Sequence, residues 1–336
     1  MEKIYKNVDE RIEYLETNKR IIVKKQHRSI IEERSYTSLI NPYKELFSYG
    51  INEKGKRIYA KNTDFEEILK IIKIDEEFST VMYKYIGSFE KRFKNLLSTE
   101  LCEKYLEGKE RDITCTKYVQ DIEDFINSSN NYKLPKFASN YPYTLTKEGF
   151  IKDNYNLEIK KNLLLHIKEL GKGIDASGNQ LKSNKLIAHY LESQKTVPLW
   201  VIPYALTLGE LKILFSMLDS GSQKKIAAKF YNIDEYSKIS LRKLLSFSGL
   251  IENIRRIRNV VNHYEPLFPL LVEKTKYSKN ITGSQIYATF KLLENTYNIF
   301  SLGTISYSNL NLETNSFNLN YINILEMMKE ITSQAK

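Results

Sequence analysis

The residues richest in usable chemistry run from Arg255 to Pro266 as Arg-Arg-Ile-Arg-Asn-Val-Val-Asn-His-Tyr-Glu-Pro. The stretch gathers Arg255, Arg256 and Arg258, two asparagines, and His263, one of the four histidines of the chain. Imidazole exchanges a proton near neutral pH, and a guanidinium can hold a phosphate through two parallel hydrogen bonds. Side by side, such groups can move a proton while neutralising charge that develops on phosphorus. Pro266 disfavours helix continuation, so the spacing predicts a helix from about Ser240 whose last turn carries His263. The negative end of the helix dipole falls there and favours a cation. At about 100° per residue, Glu252, Arg256, Asn259 and His263 share one face, and Leu250, Ile254, Ile257 and Val261 share the opposite one. Arg258 lies roughly 140° round from His263, which makes Arg256 the nearer arginine on a regular helix.

The run Arg258-Asn259-Val260-Val261-Asn262-His263 resembles the motif of HEPN ribonucleases: an arginine, a polar residue after it, and a histidine after four to six intervening positions. Arg258 followed by Asn259 is the closer match, and Arg256 also meets the spacing. Pro198-Leu199-Trp200-Val201, Leu208-Gly209-Glu210-Leu211 and Ile226-Ala227-Ala228-Lys229-Phe230 are similar to the segments preceding that motif in abortive-infection proteins of the AbiD/AbiF type. Asp64 to Leu69 with Asp75, and Ile86 to Arg92, resemble the N-terminal half of that family, so the likeness covers about residues 20 to 270. Tyr264 stands where members often carry a second histidine, and Asn262 where they carry a small residue.

The resemblance implies an all-α helical bundle of HEPN type and a metal-independent endoribonuclease that leaves 2',3'-cyclic phosphate and 5'-hydroxyl ends. It further implies a toxic antiphage effector acting on RNA, restrained by a small noncoding RNA or, alternatively, a protein antitoxin. The motif commonly works in pairs, so a homodimer would bring two histidines and two arginines to one cleft. In this chain His263 would be the base or acid, Arg258 with help from Arg256 the phosphate holder, and Asn259 the residue that orients the histidine or touches phosphate. A rival reading keeps the bundle as a non-catalytic RNA-binding or protein-interaction module. A plainer one has Arg258 and His263 merely end a helix and pair with acidic neighbours.

With 336 residues, 42% of them hydrophobic, and only 13 glycines and 7 prolines, the chain can bury a sizeable core and lies outside the disordered class. Its 51 basic residues exceed its 41 acidic ones, giving +10, a balance that suits nucleic acid and is shared by many proteins that never touch it. Cys102 and Cys115 form no CxxC and have no paired histidine spacing, so no zinc site, metal or other cofactor is expected and a reducing compartment is. No apolar run approaches the roughly 20 residues of a membrane span. The first 20 residues lack an apolar signal core, and a cytoplasmic protein without a membrane partner is expected.

Most of the remaining chain has helical spacing. Residues 2 to 19 read as an amphipathic helix, and the basic turn Lys24, Lys25 and Arg28 is either an RNA-phosphate contact or a solvated surface. Ile30 to Phe47 mixes helix and loop, and Ser48 to Asn62 reads as a loop or small hairpin. Thr63 or Asp64 caps a long helical stretch to about Tyr105, carrying Glu90 and Arg92. A short helix follows at 114 to 127. The segment 127 to 146 is a loop whose Tyr141, with Tyr132 and Tyr143, either stacks on unpaired bases or packs the loop down. Helices are expected at 147 to 170, 184 to 194, 207 to 218, 222 to 231 and 240 to 264, then at 283 to 300 and 318 to 333. The organisation expected is one all-α domain over 1–336, with an N-terminal arm at 1–28 and a C-terminal extension at 283–336.

Overall fold

A computed structural model describes residues 5–51, 57–59, 63–105, 114–120, 147–175, 177–179, 184–194, 196–218, 220–268, and positions 289, 292–293 and 296. The architecture is all-α, with two pairs of very short strands. The chain divides into two compact units, Met1–Ile86 with Arg256–Tyr287 and Leu302–Lys336, and Gly87–Arg255 with Ala288–Ser301. The expected loop at 127–146, including Tyr141, and the helix at 318 to 333 lie outside the described residues.

In the first unit a capping box sets the start of the first helix. The Asn7 side chain accepts the Glu10 N–H at 3.0 Å, and the Glu10 carboxylate accepts the Asn7 N–H at 2.8 Å. Two donors of the first turn are thereby satisfied, and the helix is Val8–Lys19 rather than starting at residue 2. Ile21–Ile22 then pairs in parallel with Thr63–Asp64, a contact between distant segments that no local pattern announced. Short helices Arg28–Glu33, Tyr36–Leu39 and Lys44–Phe47 follow. Ser48–Ile51 and Arg57–Tyr59 pair in antiparallel fashion, in agreement with a small hairpin. Leu15, Ile21, Ile31, Leu39, Tyr43, Phe65, Ile68, Ile72 and Phe268 make the core of this unit.

The long stretch after Asp64 is a single 41-residue helix, Phe65–Tyr105, with the Asp64 carboxylate accepting the Glu66 N–H at 3.0 Å at its start. Phe65, Ile68, Ile72, Phe78, Met82, Ile86, Phe89, Phe93 and Leu97 are all buried, which is the three- and four-residue recurrence of one apolar face. Its residues up to Ile86 belong to the first unit and those from Gly87 to the second.

The second unit is built around aromatic rings. Phe89, Phe93, Phe215, Phe230 and Phe247 are buried in mutual contact, Phe89 and Phe230 with centroids 4.9 Å apart and Phe230 and Phe247 5.2 Å apart. Truncating one such ring costs about 3–5 kcal/mol. Arg92 lies with its guanidinium 5.0 Å from the Phe230 ring centroid and donates to the Lys229 carbonyl at 2.8 Å. It thus ties the long helix to the end of the helix Ser220–Tyr231. Lys147–Lys172, Lys185–Gln194 and Leu208–Met217 complete the unit, and Leu208–Met217 opens on a capping box between Thr207 and Glu210. Gly173, at φ 71°, turns the chain after the helix Lys147–Lys172. Among the described residues no helix is long and apolar enough to cross a membrane.

Candidate functional site

The arginine-bearing helix runs Leu241–Asn262, starting where the Ser240 hydroxyl accepts the Lys243 N–H at 3.2 Å. Its end is defined by three backbone bonds. His263 N–H donates to the Asn259 carbonyl at 3.2 Å, Tyr264 N–H to Val261 at 3.2 Å, and Glu265 N–H to Val260 at 3.0 Å. With Tyr264 at φ 54°, this is the left-handed termination normally given to glycine. A side chain there costs about 1–2 kcal/mol. The consequence is positional: His263 occupies the C-cap, held by a helical bond behind it and a fixed reversal in front.

The apolar face of the same segment explains why the polar one points outward. Ile257 and Val261 are buried in the first unit, Arg256 and Arg258 are half-buried, and Asn259 and His263 are exposed. The face read from the sequence is therefore the face observed, and the first unit brings Arg256, Arg258, Asn259 and His263 onto one helix end. The His263 ring makes no hydrogen bond to another side chain among the described residues. An exposed imidazole one turn from an exposed amide, with two guanidinium groups on the same turns, can exchange a proton and hold an anion.

Arg255, which the basic run also offers as an RNA contact, is held by an acidic partner. In the second unit its Nε and Nη2 donate to the Glu252 carboxylate at 3.1 and 2.7 Å, and Lys212 Nζ donates to the same group at 2.8 Å. Partial burial pushes the Glu252 pKa up, but the bonds from Arg255 and Lys212 outweigh it and bring the carboxyl down to about 2. Glu252 lies on the predicted polar face, and its charge is met by Lys212 and Arg255.

The basic turn near the N-terminus is also internally matched. Lys24 Nζ lies 2.6 Å from Asp64, Arg28 pairs with Asp9, and Lys25 is exposed in a single helical turn. Hydrogen bonds from Lys24 and Arg28 hold the Asp64 and Asp9 carboxyls below the usual aspartate range. His27 is 2% exposed. Its Nδ1 accepts the Lys24 N–H at 3.1 Å, its Nε2 donates to Glu66 at 2.9 Å, and its ring packs on Phe65 at 5.2 Å.

Two features take shape only in the folded chain. The first is Asp75, buried on the long helix, which accepts the Tyr43 hydroxyl at 2.8 Å and the Phe268 N–H at 3.1 Å. Burial pushes its pKa up to about 6 in spite of those bonds. The second is a cavity of about 850 Å³ in the first unit, whose wall includes Asn262, Tyr264 and Glu265 on either side of His263. Both depend on partners far away in sequence; Phe268 is 193 residues from Asp75.

Other candidate chemistry is weaker. Burial pushes the Cys102 thiol up to about 11 and the Cys115 thiol higher still, so neither is a thiolate nucleophile at neutral pH. His166 lies 3.6 Å from Glu169 and 3.5 Å from Glu210, and His189 is exposed on Lys185–Gln194. Among the described residues no three His, Cys, Asp or Glu side chains group as metal ligands would.

A family model described as Abi-like protein matches residues 29–269, a span that takes in the long helix, the phenylalanine cluster and the whole arginine-bearing helix. No curated protein and no solved structure matches the chain.

Proposed function

The chain belongs to the Abi-like protein family, an abortive-infection family, and from that premise we propose that it is a metal-independent endoribonuclease of the HEPN class and AbiD/AbiF type. It acts as a cytoplasmic antiphage toxin. The observation that carries this reading is His263, an exposed imidazole fixed at a helix C-cap one turn from Asn259 and on the same turns as Arg256 and Arg258. RNA supplies its own nucleophile, the 2'-hydroxyl, so the protein has to supply a base, a cation and an acid. His263 removes the 2'-OH proton, O2' attacks phosphorus, and the P–O5' bond breaks as the 5'-oxygen takes a proton. Arg258, assisted by Arg256, neutralises the charge on the phosphoryl oxygens through paired hydrogen bonds. One His263 per chain covers one proton transfer, so a homodimer supplying a second His263 completes the pair. The products are a 2',3'-cyclic phosphate and a 5'-hydroxyl.

Two-metal nucleases surround the phosphate with carboxylates; the stretch around His263 is instead rich in arginine. Purified protein is therefore expected to cleave single-stranded RNA undiminished in excess EDTA and to leave cyclic phosphate ends, read by end-labelling. Activity lost in chelator and restored by magnesium would sink this assignment. A small noncoding RNA is the proposed antitoxin. Protein purified at low salt from cells carrying its native locus should hold one dominant RNA species that is released as salt rises, because phosphate contacts weaken through counterion release. A nucleic-acid-free preparation, or a random mixture of fragments, counts against it.

A further inference from the structure

The cavity beside His263 has the opposite character to the helix end that borders it. Glu33, Asp75, Glu76 and Glu265 place four carboxyl groups in its wall against one guanidinium, that of Arg34, which is itself bound to Glu76 at 2.6 Å. A phosphate entering would meet excess negative charge. A flat group carrying N–H donors would meet acceptors. Three tyrosines also line the cavity: Tyr43 is buried with its hydroxyl on Asp75, whereas Tyr83 at 62% and Tyr264 at 96% exposure have rings open to stack on such a group. Tyr264 additionally holds its place at a positive φ where glycine would be unstrained, and a strained, exposed aromatic beside a reactive group points to use. The volume of about 850 Å³ lies within the range of ligand pockets.

We propose that this cavity is a base-recognition subsite that holds an unpaired guanine next to the phosphate cleaved at His263. The proposal deepens the ribonuclease reading and rests on it for the position of the phosphate. Guanine is singled out by its Watson–Crick edge, where N1–H and the N2 amine present adjacent donors to the two oxygens of one carboxylate. Adenine and cytosine place an acceptor beside their single amine, which a carboxylate repels. Glu265 is the carboxylate assigned to the contact. Asp75 already accepts from Tyr43 and Phe268, Glu76 is bound by Arg34, and Glu33 takes the Ser29 hydroxyl at 3.2 Å, whereas the Glu265 side chain has no partner among the described residues. Asp75 serves as a positioning residue, fixing the backbone at Phe268, three residues beyond Glu265.

The test is equilibrium binding by the full chain carrying His263→Ala, so that cleavage does not intervene. The probes are short oligouridylates containing one guanosine, inosine, adenosine or cytidine. The guanosine probe should bind about ten- to a hundredfold tighter than the adenosine probe, the range of a good bidentate base contact, with inosine, which lacks the N2 amine, in between. Adding Glu265→Gln should erase the ranking. Tyr264→Gly, which adopts the positive φ without strain, should weaken all four probes alike and guards against a folding defect. Equal binding of the four probes, or a guanosine preference that survives Glu265→Gln, overturns the subsite even if the wild-type protein cleaves RNA. A guanosine preference that Glu265→Gln removes supports the subsite even if no RNA is cleaved, which would defeat the ribonuclease reading alone. Failure to bind any of the probes overturns it.

Discussion

His27 and His263 sit in the same compact unit among basic residues, yet their surroundings are opposite. His27 is buried, both of its ring nitrogens are bonded, and Lys24 and Arg28 beside it are matched by Asp64 and Asp9. His263 is exposed at a helix end, its backbone fixed and its ring without a side-chain hydrogen bond among the described residues. A basic stretch with a histidine is what the sequence offers in both places. Partners brought in from elsewhere in the chain decide which one is buried framework and which one is open to solvent.

The largest expected effect separates the two histidines. His263→Ala should lower RNA cleavage by about 10²–10⁴, the usual contribution of one general acid or base, and leave the thermal midpoint unchanged. His27→Ala should lose on the order of 2–4 kcal/mol of stability, since it vacates a buried site and strands the Lys24 N–H, while the protein that remains folded keeps its turnover. Cleavage rates and chemical denaturation on both variants decide it. A fully active His263→Ala protein with native helicity would erase the distinction and, with it, the assigned base.

Next in size is the contrast between Arg258 and Arg256. Motif spacing favours Arg258, whereas the helical face favours Arg256, and the backbone bonds show the helix to be regular up to His263. Arg258→Ala is expected to cost about 10²–10³ in turnover, as loss of one charge-stabilising donor does, and Arg256→Ala to cost less. A larger loss at Arg256 would mean that the arginine on the face of the histidine binds the phosphate.

How much of this was legible in the sequence follows from the range of the forces involved. The long helix and the arginine-bearing helix were readable because periodicity and capping are local: Asp64 and Ser240 cap, and the buried faces recur at three and four residues. The polar face holding Asn259 and His263 was readable for the same reason. Ion pairing of Lys24, Arg28 and Arg255, the burial of His27, and the cavity at Tyr264 were not. Each depends on where a distant segment lands, as with Asp64 against Lys24 across 40 residues. Tyr264 was visible as a departure from the family pattern, but its positive φ is a property of the folded helix end.

The carboxylates that support the two regions give a third contrast, readable by pH. Glu66 is partly exposed, and its hydrogen bond to His27 lowers its pKa; Asp75 is buried and raised from 3.8 to about 6. In that interval the folded protein holds a proton on Asp75 that the unfolded chain has released, so this group favours folding most below about pH 4. Its contribution falls as pH rises through about 6, by about 3 kcal/mol. Urea midpoints from pH 4.5 to 7.5 for wild type and Asp75→Asn should differ by a term that shrinks with rising pH in favour of the variant. Parallel curves would show that Asp75 titrates like an ordinary aspartate.

The smallest effect concerns the basic turn as a contact for RNA phosphates. Lys25 has no ion-pair partner among the described residues, whereas Lys24 and Arg28 must release Asp64 and Asp9 before they can meet a phosphate. A cation that neutralises a phosphate on single-stranded RNA steepens the dependence of log binding constant on log salt by about 0.7. Lys25→Ala is therefore expected to flatten that slope by about this amount, and Lys24→Ala and Arg28→Ala by less, because the carboxylate left behind remains close to the strand. Exposed pairs of this kind contribute little to stability, so the unfolding midpoints of all three variants should match the wild type. Oligonucleotide titrations with the His263→Ala protein at several salt concentrations read the slopes directly. Unchanged slopes in all three variants would assign the turn to the framework along with His27, leaving the end of the arginine-bearing helix as the surface proposed to meet RNA.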